Sequence, residues 1–285
     1  MKLCFFDDDR FGVVANDQVH DVTHVLDRLP AYRSPLPRFD PLVAALPDLL
    51  PALREAAAQA PGTPVAEARF HSPVANPGKV VAAPVNYLAH LEEAIAEPET
   101  FSRAHVNRIQ ESGLFLKATS SIVGPSAGIA LRFPDRRNDH EIELVAIIGK
   151  AGSNIAEADA LDHVAGYTLG LDMTLRAKEE RSFRKSVDSY TVLGPWLVTA
   201  DEFGDPADVA LSIAVNGEMR QNARTRDLVL SVPALIAFAS SFYTLLPGDV
   251  LMTGTPEGVG PVVPGDVLTA YVERIGTVRV IVRAA

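Results

Sequence analysis

NDHEIELVAIIGK, residues 138–150, sets two carboxylates, Glu141 and Glu143, inside a run whose Ile, Val and Leu content is that of a buried strand. In an extended chain successive side chains point to opposite faces. Glu141, Glu143, Val145 and Ile147 then share one face, and His140, Ile142, Leu144, Ala146 and Ile148 share the other. A solvated strand keeps one face polar along its length, whereas here both faces turn apolar after Leu144. The pattern predicts a strand that enters a core with its acids at the mouth, and two acids there call for a cation. AGYTLGLDMTLR offers a third carboxylate, Asp172, in another apolar, strand-like segment. Three carboxylates and no thiolate favour a hard ion, Mg²⁺ or Mn²⁺, with Ca²⁺ as a substitute, over zinc. On these residues alone a charged strand edge, with Asp172 in a turn or cap, stays open as the alternative.

The rest of the composition narrows the partners. The chain has 285 residues, 47% hydrophobic and 22% charged, which is enough for one large domain or two unequal ones. No apolar run approaches the ~20 residues of a membrane helix, and MKLCFFDDDR lacks the pattern of a secretory signal, so the expectation is a cytoplasmic protein without a membrane partner. A net charge of -10 argues against a nucleic-acid partner. The single cysteine, Cys4, excludes an internal disulfide and a thiolate cluster.

Along the chain, KLCFF, FGVVA and QVHDVT read as short strands, and DLLPALREAAAQA as a helix with Pro51 in its first turn. SPVANPGK reads as a connector, which divides the chain into a small N-terminal domain, residues 1–75, and a metal-binding catalytic domain, residues 76–285. KVVAAPVN predicts a strand, NYLAHLEEAIAE a helix, and the polar stretch through Ser112 a mobile flap. Asn216-Gly217 between apolar alternations predicts a hairpin, and SVPALIAFASSFYTLL a helix capped by Ser231 with Pro233 in its first turn. LPGDVLMTG and VPGDVLTAY echo one another as Pro-Gly turns that feed strands. His20 and His24 lack further ligands nearby, and neither they nor His140 receive a role.

Five segments in series, DHEIELVAIIGK, GYTLGLDMTLR, RKSVDSYTVLGPWLV, VNGEMRQNARTRDLV and LLPGDVLMTGTPEGVG, resemble in order and spacing the signature of the fumarylacetoacetate hydrolase family, over roughly residues 78 to 283. The resemblance implies an α+β, predominantly β fold, a β-roll/sandwich with a small N-terminal α/β module. It implies metal ligation by Glu141, Glu143 and Asp172, a place beside the substrate for Lys185, and Thr255 in the same pocket. NYLAHLEEA resembles the family's lid segment, which makes His90 and Glu93 a catalytic pair. Arg176, four residues after Asp172, either binds a substrate carboxylate or forms a structural salt bridge. The sequence departs from the family where Val85 precedes Asn86 in place of Gly, where Ala177 and Glu179 replace Asp and Gln, and where Arg184 and Val192 replace Gly and Pro. These changes flank the ligands, so they bear on the substrate more than on the metal.

The implied activity is divalent-metal-dependent hydrolysis of a C–C bond in a 2,4-dioxo acid, of acylpyruvate or fumarylacetoacetate type, through an enolate stabilised by the metal as Lewis acid. Such activity belongs to aromatic catabolism, and the family also implies a homodimer. The same site serves two alternatives: a 2-oxo-acid decarboxylase or isomerase acting on oxaloacetate or 2-hydroxyhepta-2,4-diene-1,7-dioate, and a non-catalytic, metal-dependent carboxylate-binding protein. A calcium-stabilised structural domain is a third reading of the acids.

Overall fold

The computed structural model describes residues 1–96 and 109–285. Its spine is the strand Ile142–Ile148, in which every residue is buried. Val145 and Ile147 join the core under the first helix, with Leu42, Val43, Leu46, Leu49 and Leu53. Ile142, Leu144, Ala146 and Ile148 face the other way, onto a core shared with Leu211, Ile213, Leu268 and Ala270. A strand covered on both faces needs no polar face, which accounts for the unbroken apolar run.

This strand pairs antiparallel with Val164–Asp172 on one side and Val250–Met252 on the other. Thr191–Thr199 follows Val164–Asp172 and pairs in turn with Lys2–Phe6. The strands Arg10–Ala15, Gln18–Asp21 and Gly62–Pro64 continue the order outward, while Val80–Ala82 and Phe115–Lys117 close the opposite edge. The N-terminal strands therefore lie in the same large sheet as the acidic strand. A five-stranded sheet, built from Glu218–Arg224, Ala210–Val215, Val267–Val272, Gly276–Ala284 and Ile129–Leu131, packs its inner face on the second core. The architecture is a predominantly β, α+β sandwich, as expected.

Several local readings are realised. Asn216 and Gly217 both take positive φ, 51° and 86°, between paired strands, which is the geometry a two-residue hairpin demands. The Ser231 side chain accepts from the Ala234 amide at the head of the Val232–Phe242 helix. The two Pro-Gly-Asp turns repeat one device. Asp249 accepts from the Leu246 amide at 2.7 Å and Asp266 from the Val263 amide at 2.8 Å.

Two expectations require correction. The first helix runs Pro41–Gln59, capped by Asp40, so Pro51 lies in its interior together with Pro47. An interior proline costs about 3 kcal/mol, but each buried Leu contributes roughly 1.5–3 kcal/mol, and the helix buries Leu42, Leu46, Leu49 and Leu53 against the sheet. The acidic segment is also not one strand. Asn138–His140 pairs with Thr174–Leu175 and Gly260–Pro261 in a separate three-stranded sheet, and the chain crosses at Glu141 into the large sheet. The expected flap lies largely outside the described residues. Its described ends are the helices Leu88–Ala96 and Ile109–Ser112.

Cys4 is fully buried, and its burial pushes the thiol up to about 12. It should therefore resist a thiol reagent such as dithionitrobenzoate at pH 8 in the folded protein and react in denaturant. Labelling of the native protein at the unfolded rate contradicts this placement.

Candidate metal centre

The crossing at Glu141 creates the site. Glu141 stands between the small and large sheets, Glu143 opens the core strand, and Asp172 ends the neighbouring strand, its amide donating to the Glu141 carbonyl at 2.8 Å. The strands bring ligand oxygens of all three buried carboxylates within 4.8 Å of one another, as the metal reading requires. Such a cluster needs compensating charge. Lys185 donates to Glu141 Oε2 at 2.6 Å and to Asp172 Oδ2 at 2.7 Å. Lys117, not foreseen from the sequence, is buried beside it and donates to Asp172 and to the Tyr190 carbonyl.

Glu141 and Glu143 sit in different electrostatic environments. Burial would push the Glu141 carboxyl up, but Lys185, Arg176 and His90 outweigh it and hold it down to about 2. Glu143 makes no ion pair among the described residues, although the charge of Lys185 also pulls its carboxyl down. Burial, followed by the charge of Asp172, raises it well above the usual carboxylate range, and the Gly254 amide at 2.7 Å offsets only part of that. The donor set fits a divalent cation, because Glu143 alone of the three carboxylates makes no ion pair among the described residues.

Arg176 takes the salt-bridge geometry. It donates to Asp139 Oδ2 at 2.7 Å and Glu141 Oε1 at 2.9 Å, and thereby ties the two sheets together at the crossing. Thr174 adds a hydroxyl to Glu141 Oε1 at 2.8 Å. His90 and Glu93 meet as expected one turn apart on the Leu88–Ala96 helix. His90 Nδ1 lies 2.8 Å from Glu93 Oε2, and Glu93 Oε1 accepts from the Gly258 amide at 2.9 Å. Thr255 is buried in the loop that also supplies the Gly254 and Gly258 amides, and Gln221 donates to its hydroxyl. Asn86 anchors the start of the His90 helix by donating to the Leu230 and Thr253 carbonyls.

Lys117, Gln221, Asp139 and Asn86 were missed. Lys117 carried a legible signal, since it is a charge on the inward face of an apolar strand, Phe115–Lys117, as Glu143 is in its own strand. Gln221 carried none. Its strand, Glu218–Arg224, is mostly exposed, and it is the one fully buried residue there.

The fumarylacetoacetate (FAA) hydrolase C-terminal domain model matches residues 79–283. The chain belongs to the fumarylacetoacetate hydrolase family, and it is an enzyme of that family with a metal-binding carboxylate cluster. It is 53% identical over 286 residues to maleylpyruvate hydrolase of Aquipseudomonas alcaligenes, covering 100% of both chains. Among solved structures it resembles maleylpyruvate hydrolase from Sphingobium sp. SYK-6 in complex with manganese (II) ion and pyruvate, at 38% identity and TM-score 0.85 over 100% of both chains. It also resembles fumarylpyruvate hydrolase from Pseudomonas aeruginosa in complex with Mn²⁺ and pyruvate, at 31% identity and TM-score 0.62, covering 73% of this chain and 90% of the other. No described helix is long and apolar enough to cross a membrane.

The asymmetry between the carboxylates has a measurable consequence. Glu143 is the carboxylate of the three with no ion pair among the described residues, so Glu143→Gln should leave the metal-free Tm within about 3 °C while abolishing the rise in Tm that Mn²⁺ produces. Asp172→Asn removes the partner of two buried ammonium groups and should lower the metal-free Tm by about 10 °C or more, as expected for a cost of roughly 3–5 kcal/mol. Thermal melts with and without Mn²⁺ check both, and a full Mn²⁺ response in Glu143→Gln removes Glu143 from the ligand set.

Proposed function

We propose that this enzyme hydrolyses an acylpyruvate, with maleylpyruvate as the particular substrate, to pyruvate and a carboxylic acid. The carrying observation is the His90–Glu93 pair, clamped by Gly258 beside a buried carboxylate cluster that already holds an ammonium, Lys185. Glu141, Glu143 and Asp172 would hold Mn²⁺ or Mg²⁺. When bound, that cation supplies a Lewis acid for the oxygens of a 2-oxo acid.

The chain's own groups account for the remaining chemistry. A carboxylate only accepts, so His90 Nδ1 carries the proton shared with Glu93, and Nε2 becomes the ring's basic nitrogen. In this reading Nε2 removes a proton from water as its oxygen bonds to the distal acyl carbon. Glu93 steadies the imidazolium, and Lys185 offsets negative charge on the attacked carbonyl oxygen. The C–C bond then breaks, its electron pair leaves with the pyruvate fragment, and the proton held by His90 returns to that carbon. Arg176 acts on the substrate through Glu141, which it orients, and Thr255 binds a substrate oxygen. The reading includes a homodimer in the cytoplasm, following the family resemblance, and sedimentation of the purified enzyme tests the dimer.

His90→Ala should lower kcat on maleylpyruvate by roughly 10²–10⁴ while pyruvate affinity, measured calorimetrically with Mn²⁺, stays near wild type. An intact rate removes His90 as the base. A wild-type enzyme that turned over oxaloacetate and no acylpyruvate would replace hydrolysis with the decarboxylase or tautomerising chemistry of the same site.

A further inference from the structure

Gln221 reaches from the five-stranded sheet into the seam of the carboxylate site, and its amide is fully used. Oε1 accepts from the Ile142 amide at 3.1 Å and lies 3.2 Å from His140 Nδ1. Nε2 donates to the Pro256 carbonyl at 2.7 Å and to Thr255 Oγ1 at 2.8 Å. The orientation of the amide is forced, because a backbone N–H can only donate and a carbonyl can only accept. His140 Nδ1 must then be a donor as well, and two donors on Oε1 strengthen the bonds that Nε2 gives.

The consequence falls on Thr255. Its oxygen accepts from Gln221, so its own hydrogen is directed elsewhere, and the hydroxyl donates no hydrogen bond among the described residues. Thr255 is buried, and it directly follows Gly254, whose amide touches Glu143. A buried hydroxyl with its proton unspent needs an acceptor.

We propose that Gln221 is a positioning residue that fixes the polarity of Thr255, so that the Thr255 hydroxyl donates to an anionic oxygen of the bound 2-oxo acid. The inference rests on the acylpyruvate reading for the identity of that oxygen, but pyruvate binding tests it without turnover. Gln221 acts through Thr255 and does not itself touch the substrate. The hydrogen-bond direction in the site is thus set from the second sheet, two residues removed from the carboxylates it serves.

Gln221→Glu and Gln221→Met separate polarity from packing. A carboxylate at 221 still accepts from the Ile142 amide, but its other oxygen has no hydrogen for Thr255 or for the Pro256 carbonyl, so Thr255 turns its own proton onto it and spends it. Pyruvate affinity of the Mn²⁺-loaded protein should fall about 10-fold or more, and KM for maleylpyruvate should rise in parallel, with kcat within about 3-fold. Met neither accepts nor donates, so Thr255 keeps its proton and the loss should be smaller, about 3-fold. In a Thr255→Val background, Gln221→Glu should add little, because the donor is already gone. Mn²⁺ affinity should hold near wild type in both single variants. The proposal is overturned if Gln221→Glu binds pyruvate like wild type, if Met is as damaging as Glu, or if the Gln221→Glu and Thr255→Val losses multiply. If Gln221→Glu does not fold, Gln221→Met decides alone, and a loss of 10-fold or more in that variant overturns the polarity account. Failure of wild type to hydrolyse any acylpyruvate strikes the functional reading and leaves the pyruvate titrations standing as the test here.

Discussion

Three carboxylates buried at the seam of two sheets are the constraint around which the molecule is arranged. A buried carboxylate is tolerated when it is paired, and pairing here is uneven. Lys185 spans Glu141 and Asp172, Lys117 reaches Asp172, and Arg176 reaches Glu141, while Glu143 has one backbone amide. That unevenness is the electrostatic signature of a place for a cation, since a cluster balanced by its own lysines would have no corner left to fill. The crossing at Glu141 and the Arg176 fork to Asp139 and Glu141 are the mechanical side of the same arrangement.

One loop collects the other parts. Gly254 donates to Glu143, Thr255 and Pro256 accept from Gln221, and Gly258 donates to Glu93, so the loop from 254 to 258 links the carboxylates, the second sheet and the His90 helix. Its glycines are required by geometry. Gly254 has φ 99° and a Cβ there would meet the Asn86 side chain at 2.7 Å, while at Gly258, φ 88°, it would meet the Arg220 carbonyl at 2.0 Å. Only a chain without side chains at those two points can pass between the helix start and the five-stranded sheet.

The departures from the family pattern fall around this frame. Val85 takes φ 41°, a conformation that a β-branched residue adopts at a cost, directly before the Asn86 anchor. Glu179 points outward into a paired contact with Arg136, at 3.1 and 3.0 Å. Arg184 turns back to donate to the Glu179 and Leu175 carbonyls, which fastens the short helix carrying Lys185. None of the three disturbs the carboxylates, which agrees with a metal site common to the family and surroundings particular to this chain.

Local chemistry was legible in the sequence wherever short-range rules act. The hairpin at Asn216-Gly217 follows from two residues that accept positive φ, and the Ser231 cap follows from one hydroxyl beside a proline. Alternation placed Val145 and Ile147 opposite Ile142 and Leu144, and acids at the mouth of an apolar strand pointed to a cation. The ends of the first helix were not legible, because burial of its leucines overrode two prolines. The break of the acidic strand at Glu141 was not legible either, because the pairing partners of Asn138–His140 lie far along the chain. Gln221 and the fork of Arg176 were decided by tertiary structure for the same reason. A hydrogen bond between residues 34 or more positions apart leaves no periodicity in the sequence, and only the packing of two sheets brings Gln221 to Ile142 and Thr255. The sequence by itself determined which residues could carry charge into a core; the fold decided which of those charges would find a partner.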